Sequence, residues 1–201
     1  MILYEIVGSE SHQSYTNLSI DNLNRQYDFL RSVVNAAIDA GQPMISSAVI
    51  KALNFHAVAC LHVSAGEYRP CPVQVGDYVP PEHFQVPELM NMLINELNYR
   101  WRETDPLALA AYALWRLNAI HPFINGNGRT ARALCHYIVC VRAGGWLPGD
   151  PILPELIRQN RDEYVELLKS MDARFPTGEQ EPFAALHAFL VRLMRQQAAS
   201  V

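Results

Sequence analysis

Twelve consecutive residues, HPFINGNGRTAR from His121 to Arg132, gather one histidine, two glycines around an asparagine, and two arginines three apart. No other stretch of the chain is as dense in groups that move protons or seek phosphate. A histidine exchanges protons near neutral pH and can act as general base or acid, which makes His121 the candidate catalytic residue. Gly126, Asn127 and Gly128 place little bulk over the backbone. At the start of a helix, free N–H groups and the positive end of the dipole attract anions. Arg129 and Arg132 fall on neighbouring positions of one helical face. Two guanidinium forks beside such a helix start suit a ligand with several phosphates.

Each part also has a plainer reading. Gly-Asn-Gly is commonly just a turn, arginines on a helix are commonly solvated or paired, and a histidine beside proline is commonly structural. Their conjunction within twelve residues is what points to a polyphosphate site. Two standard phosphate motifs do not account for it. The chain has no GK[ST], so there is no Walker A element. Gly126-x-Gly128-x-x-Ala131 matches GxGxxG/A, but that pattern needs a preceding strand, and residues 107–120 read as helix.

The elements that position these residues are mostly helical by spacing. Residues 1–20 are polar and show no clear period, so they read as irregular. Ile20 to Ala40 has helical spacing and stops at Gly41, and Met44 to Leu61 reads as a second helix. AGEYRPCPVQVGDYVPPEHF, residues 65–84, breaks the pattern with four prolines and two glycines. Within it, Pro72–Val75 and Asp77–Val79 flank Gly76 and predict a short, exposed β-hairpin. Residues 86–101 and 105–120 are helical again, with Asp105-Pro106 as an N-cap and first-turn pair. The second of these is apolar on nearly every side, which predicts a central position. A helix follows from about Gly126 to Ala143, ending at Gly144-Gly145. Two amphipathic segments, roughly 153–172 and 181–197, are separated by FPTGEQ. The expected fold is all-α, one domain with a single hairpin inserted.

Composition fits that picture. With 201 residues, half of them apolar and 18% charged, the chain can build one substantial core. A net charge of −4 argues against nucleic acid as a partner. Cys60, Cys71, Cys135 and Cys140 form no CxxC pair, and no segment approaches the roughly 20 apolar residues of a membrane span. No secretory signal is visible, so a cytoplasmic location is expected, with no membrane partner.

HPFINGNGRTAR resembles the signature of the Fic family, HxFx[DE]GNGRxxR, departing from it at Asn125 alone. AGEYRPCPVQV is similar to the family's flap, and VPPEHFQVPELM to the loop and helix after it. The resemblance covers about residues 45–170, leaving 1–43 as an N-terminal helical extension and 171–201 as a C-terminal helix. It implies a Fic-type helical bundle with a β-hairpin flap at about 66–80. It also implies transfer of a nucleoside monophosphate, usually AMP from ATP, to a Ser, Thr or Tyr hydroxyl of a target protein.

Carried onto this sequence, the resemblance makes His121 the base and Phe123 an anchor of the loop in the core. Gly126, Asn127 and Gly128 would cradle the α- and β-phosphates, and Arg129 and Arg132 would hold the β- and γ-phosphates. Tyr164 would lie near the adenine. The flap residues Tyr68, Arg69, Val73, Gln74 and Val75 would hold the target by strand pairing. The family's acidic residue before GNG helps hold Mg²⁺, so Asn125 is the candidate metal position. A neutral amide is a weaker ligand for that hard cation, so the Mg²⁺ that the resemblance implies would arrive bound mainly to the phosphates of ATP, with Asn125 reaching one of its waters. Glycine at position 128, where kinase-type members carry lysine, favours AMP transfer. A nucleotide-binding protein with weak or no transferase activity, and phosphotransfer or AMP removal by the same site, are the alternatives.

Many members restrain themselves through a helix with [ST]xxxE[GN], whose glutamate pairs with the second signature arginine. The nearest match here is IVGSES, which would pair Glu10 with Arg132, although Ile6 and Ser11 depart from the motif. A separate antitoxin or assembly into an oligomer are the other routes to control.

Overall fold

Residues 1–174 and 183–200 are described by a computed structural model. They form α1 (Leu3–Val7), α2 (Gln13–Ala40), α3 (Ser47–Val58), α4 (Val86–Tyr99), α5 (Pro106–Ile120), α6 (Asn127–Ala143), α7 (Leu153–Gln159), α8 (Arg161–Arg174) and α9 (Ala184–Ala198). The FPTGEQ connection lies outside the described residues.

α5 begins as its sequence dictates. Asp105 accepts hydrogen bonds from the Leu107 and Ala108 N–H groups, both at 3.0 Å, and Pro106 occupies the first turn. Nearly every residue of α5 from Leu109 to Ile120 is buried, and so is most of α6 from Asn127 to Cys140. Both helices sit in the middle of one hydrophobic core that also takes in Leu30, Leu53, Leu93, Leu156 and Leu190 from α2, α3, α4, α7 and α9. The all-α expectation is met, with the polar signature mounted between the two best-buried helices.

Three local expectations are corrected. Residues 1–20 are not irregular, because α1 forms there and α2 starts at Gln13. The first two turns of α2 show no apolar period because Tyr15 is their one buried residue. Further along, polar residues also face inward, where Asn22 donates to the Ala59 carbonyl at 2.9 Å and Gln26 to the Leu53 carbonyl at 2.8 Å. The segment 153–172 is not one helix. It breaks at Asn160, whose side chain donates to the Leu156 carbonyl and caps α7.

The hairpin is smaller than expected. Val75 and Tyr78 exchange N–H···O=C bonds at 3.0 Å around Gly76, and this isolated bridge is the whole of the pairing described there. Pro70, Pro72, Pro80 and Pro81 have no N–H to extend a ladder. The strap is held down instead by side chains, with the Tyr78 hydroxyl donating to the Ala119 carbonyl at 2.7 Å. Among the described residues no helix is long and apolar enough to cross a membrane.

Candidate phosphate-binding site

α5 ends at Ile120, and His121 follows in the left-handed region at φ 51. That conformation costs a non-glycine residue about 1–2 kcal/mol, so something must hold it. Arg69 does. Its side chain is 2% exposed, and its Nε donates to the His121 carbonyl at 2.8 Å. The same guanidinium donates to the carbonyls of Cys71 and Pro81, and the Arg69 N–H donates to the Pro122 carbonyl. One buried arginine therefore ties both ends of the strap to the turn that carries His121.

The rest of the signature loop is closed by its own residues. Asn127 accepts from the Phe123 N–H and donates to the Phe123 carbonyl, both at 2.9 Å. Phe123 is fully buried and packs against Tyr68, so it anchors the loop in the core as the resemblance implies. Gly126 caps α6 at φ 80, where a Cβ would stand 2.6 Å from Val58 Cγ1 and 3.0 Å from the Asn54 amide nitrogen. The first hydrogen bond of α6 runs from the Thr130 N–H to the Gly126 carbonyl, which leaves the N–H groups of Asn127, Gly128 and Arg129 without helical partners.

A cavity of about 320 Å³ opens beside that helix start. His121, Gly128, Arg132 and Tyr164 all line it, with Asn118 and Ala119 of α5 and Val75 and Tyr78 of the strap. Arg132 folds back along α6 so that its Nη1 would lie 3.3 Å from a Cβ on Gly128. Burial pushes the His121 imidazole down to about 4; a hydrogen bond to the Asn118 carbonyl opposes this and the Arg69 charge adds to it. The ring is neutral at physiological pH. One nitrogen donates to Asn118, and the other is left with a lone pair for a proton.

Not every residue singled out in the sequence reaches this cavity. Arg129 turns away from it: Nη1 donates to the Ala57 carbonyl at 2.8 Å and the Ser19 hydroxyl at 3.2 Å, and Nη2 to Asn125 Oδ1 at 2.9 Å. The Asn127 amide is consumed by the loop, so what this residue presents toward the helix start is its N–H alone. Tyr164 is 5% exposed, and its hydroxyl accepts from Asn118 at 2.9 Å. Tyr68 and Arg69 face inward, whereas Gln74 and Val75 are exposed and Val73 is half-buried. Glu10 does not meet Arg132. It accepts from Asn125 Nδ2 at 3.1 Å and lies 3.1 Å from His62 Nε2.

Three contributors were missed in the sequence. Asn54, fully buried in α3, donates to the Asn125 carbonyl at 2.9 Å and to Thr130, and accepts from the Gly66 N–H. It joins α3, the start of the strap and the signature; the legible signal was an amide inside an otherwise apolar helix. Arg158 and Arg161 also line the cavity, on either side of the break at Asn160. A single unbroken helix would have hidden that arrangement.

The sequence model of the Fic/DOC family matches residues 45–139. A protein adenylyltransferase Fic from Drosophila yakuba is 32% identical over 180 residues, covering 87% of this chain and 34% of that protein. Its counterpart from Nematostella vectensis is 37% identical over 123 residues, 60% of this chain and 26% of the relative. This chain thus spans about a third or less of these curated relatives. A Fic-domain-containing signalling protein from Bacteroides thetaiotaomicron shares the fold, with a TM-score of 0.74 at 21% identity over 98% of this chain and 77% of that one. Fic-1 from C. elegans superposes with a TM-score of 0.63 at 25% identity, covering 91% of this chain and 52% of that one.

Proposed function

The chain belongs to the Fic/DOC family, and on that footing we propose that it transfers AMP from ATP to a Ser, Thr or Tyr hydroxyl of a target protein. The observation that carries this reading is the convergence of His121, Gly128 and Arg132 on one cavity at the N-terminus of α6. In this reading the triphosphate lies against the free N–H groups of Asn127, Gly128 and Arg129, with Arg132 over its outer phosphates. The neutral His121 ring takes the proton of the target hydroxyl. The hydroxyl oxygen then forms a bond to the α-phosphorus, the bond from that phosphorus to the bridging oxygen of the β-phosphate breaks, and pyrophosphate leaves. A bound polyphosphate raises the affinity of His121 for the proton, moving it toward the range where a base works best.

The target segment lies along the outer edge of the strap, at Val73, Gln74 and Val75, paired through the backbone groups there that the Val75–Tyr78 bridge leaves free, which fixes register without demanding much sequence. Tyr68 and Arg69 serve that edge from beneath. Tyr164 closes the nucleoside end of the cavity. The reading includes a target met in the cytoplasm and control by a separate antitoxin-like partner or by assembly. No step is assigned to a divalent cation, because the residue at the family's metal position does not fit one. Asn125 Oδ1 already accepts from the Arg129 guanidinium, a like charge to any incoming metal.

The test is incubation of the protein with α-labelled ATP and cell lysate, beside His121→Ala. A labelled protein band that disappears in the variant is the expected result. Measurable ATP binding with no band from any nucleotide would sink the transferase reading, and label arriving only from γ-labelled ATP would replace it with phosphotransfer.

A further inference from the structure

The cavity carries more cationic groups than the signature supplies. Arg132, Arg158, Arg161 and Lys169 line it, against the single carboxylate of Asp172. Two of these cations are already occupied. Arg158 Nε donates to Glu155 and Lys169 Nζ to Glu166, both at 2.7 Å. Asp172 is engaged too, accepting from the Trp115 indole N–H at 2.7 Å. Arg132 and Arg161 make no hydrogen bond or ion pair with any described residue.

Arg161 is placed against its own helix. It is the first residue of α8, where the dipole favours an anion and disfavours a cation. Asp162 and Glu163 satisfy the dipole at the next two positions. An unpaired arginine at that position is free to meet an anion brought into the cavity.

The opposite holds at Asn125. It is not among the residues lining the cavity. Its amide orientation is fixed by its neighbours: Oδ1 faces the Arg129 donor at 2.9 Å, and Nδ2 faces the Glu10 carboxylate at 3.1 Å and His62 Nε2 at 3.0 Å. Rotating the amide would set N–H against N–H and oxygen against carboxylate. Among the described residues no group of three or more His, Cys, Asp or Glu side chains is gathered that could hold a metal.

We propose that this protein holds the nucleoside triphosphate with Arg132 and Arg161, in place of a divalent cation ligated by the protein. The inference rests on the nucleotide-transfer reading above. Guanidinium groups supply two parallel donors to phosphate oxygens and the positive charge that neutralises them. Arg161 reaches the triphosphate from the α7–α8 break, and Arg132 from α6.

Calorimetric titration with ATP in excess EDTA, and again in excess magnesium chloride, tests this directly. The expected result is an affinity in EDTA within about threefold of that in magnesium. An affinity tenfold or more weaker in EDTA overturns the proposal while leaving the transfer reading intact. No binding in either medium removes the transfer reading and this inference together. Arg161→Ala should bind ATP about tenfold more weakly in EDTA, with an unchanged melting temperature. Because Arg161 is exposed and unpaired, its removal does not threaten folding, and an unchanged affinity would remove it from the site.

Discussion

Arg129 and Arg132 lie one helical turn apart on α6, yet they live in different surroundings. Arg129 is packed under the signature, with donors committed to Ala57, Ser19 and Asn125. Arg132 leans over Gly128 into the cavity with no such commitments. The glycines divide the same way. A Cβ on Gly126 would strike Val58, a branched side chain held in the core, whereas one on Gly128 would meet only the flexible end of Arg132. Half of the signature builds the mount and half faces the ligand. The motif is thus a folding unit as much as a binding one.

The sharpest way to break this division is Gly126→Ala. The left-handed φ and the 2.6 Å approach to Val58 together should cost about 4 kcal/mol. For a domain of this size that lowers the melting temperature by roughly 8–16 °C. Gly128→Ala should leave stability within about 0.5 kcal/mol of wild type while weakening ATP binding, because it pushes Arg132 aside. Equal melting temperatures for the two variants would erase the distinction.

Arg129→Ala comes next. It strips the Ala57 carbonyl and the Asn125 amide of a charged donor in a largely buried place, a loss of about 3 kcal/mol. Chemical denaturation should show the loss with or without nucleotide. Arg132→Ala should do the reverse, with a denaturation midpoint like wild type and ATP affinity down at least tenfold by calorimetry. If Arg129→Ala kept its stability and lost only ATP binding, the tied arginine would belong with the ligand after all.

The division also marks how far the sequence could be read. The cap of α5, the stop of α6 at Gly144 and the central burial of Pro106–Ile120 follow from local chemistry, which a sequence displays directly. The two arginines do not differ in type, propensity or helical face enough to tell them apart. What separates them is the Ala57 carbonyl and Ser19, brought in from α3 and α2, some 72 and 110 residues away. Arg69 is legible as part of a flap but not as its anchor, since its partners His121 and Pro81 are set by tertiary packing. α2 hides its start because, between Gln13 and Ser19, Tyr15 alone is buried, its hydroxyl 2.7 Å from His62 Nε2. A hydrophobic period cannot register such a face.

The smallest expected effect concerns one histidine on each side of the division. Burial holds His121 down to about 4 on the cavity side. It also lowers His62 on the tied side, where the Glu10 carboxylate opposes the shift. An unfolded histidine titrates near 6.5, at about the point where these folded rings are still neutral. Between about 4 and 6.5 the unfolded chain binds the proton that His121 refuses in the folded state, so stability falls as pH falls through that window. Above 6.5 this group contributes no pH dependence. His121→Gln removes the linkage, worth about 2.5 kcal/mol at pH 4.5, so it should gain roughly 5–10 °C on wild type when melts at pH 7.5 and pH 4.5 are compared. His62→Gln should gain less, because Glu10 offsets part of the burial. Saturating ATP separates the two sides. A polyphosphate beside His121 favours its protonated form and should abolish the gain of His121→Gln, while the His62→Gln difference stays as it was. Both differences moving together with ATP would show that ligand and mount are not divided where the geometry divides them.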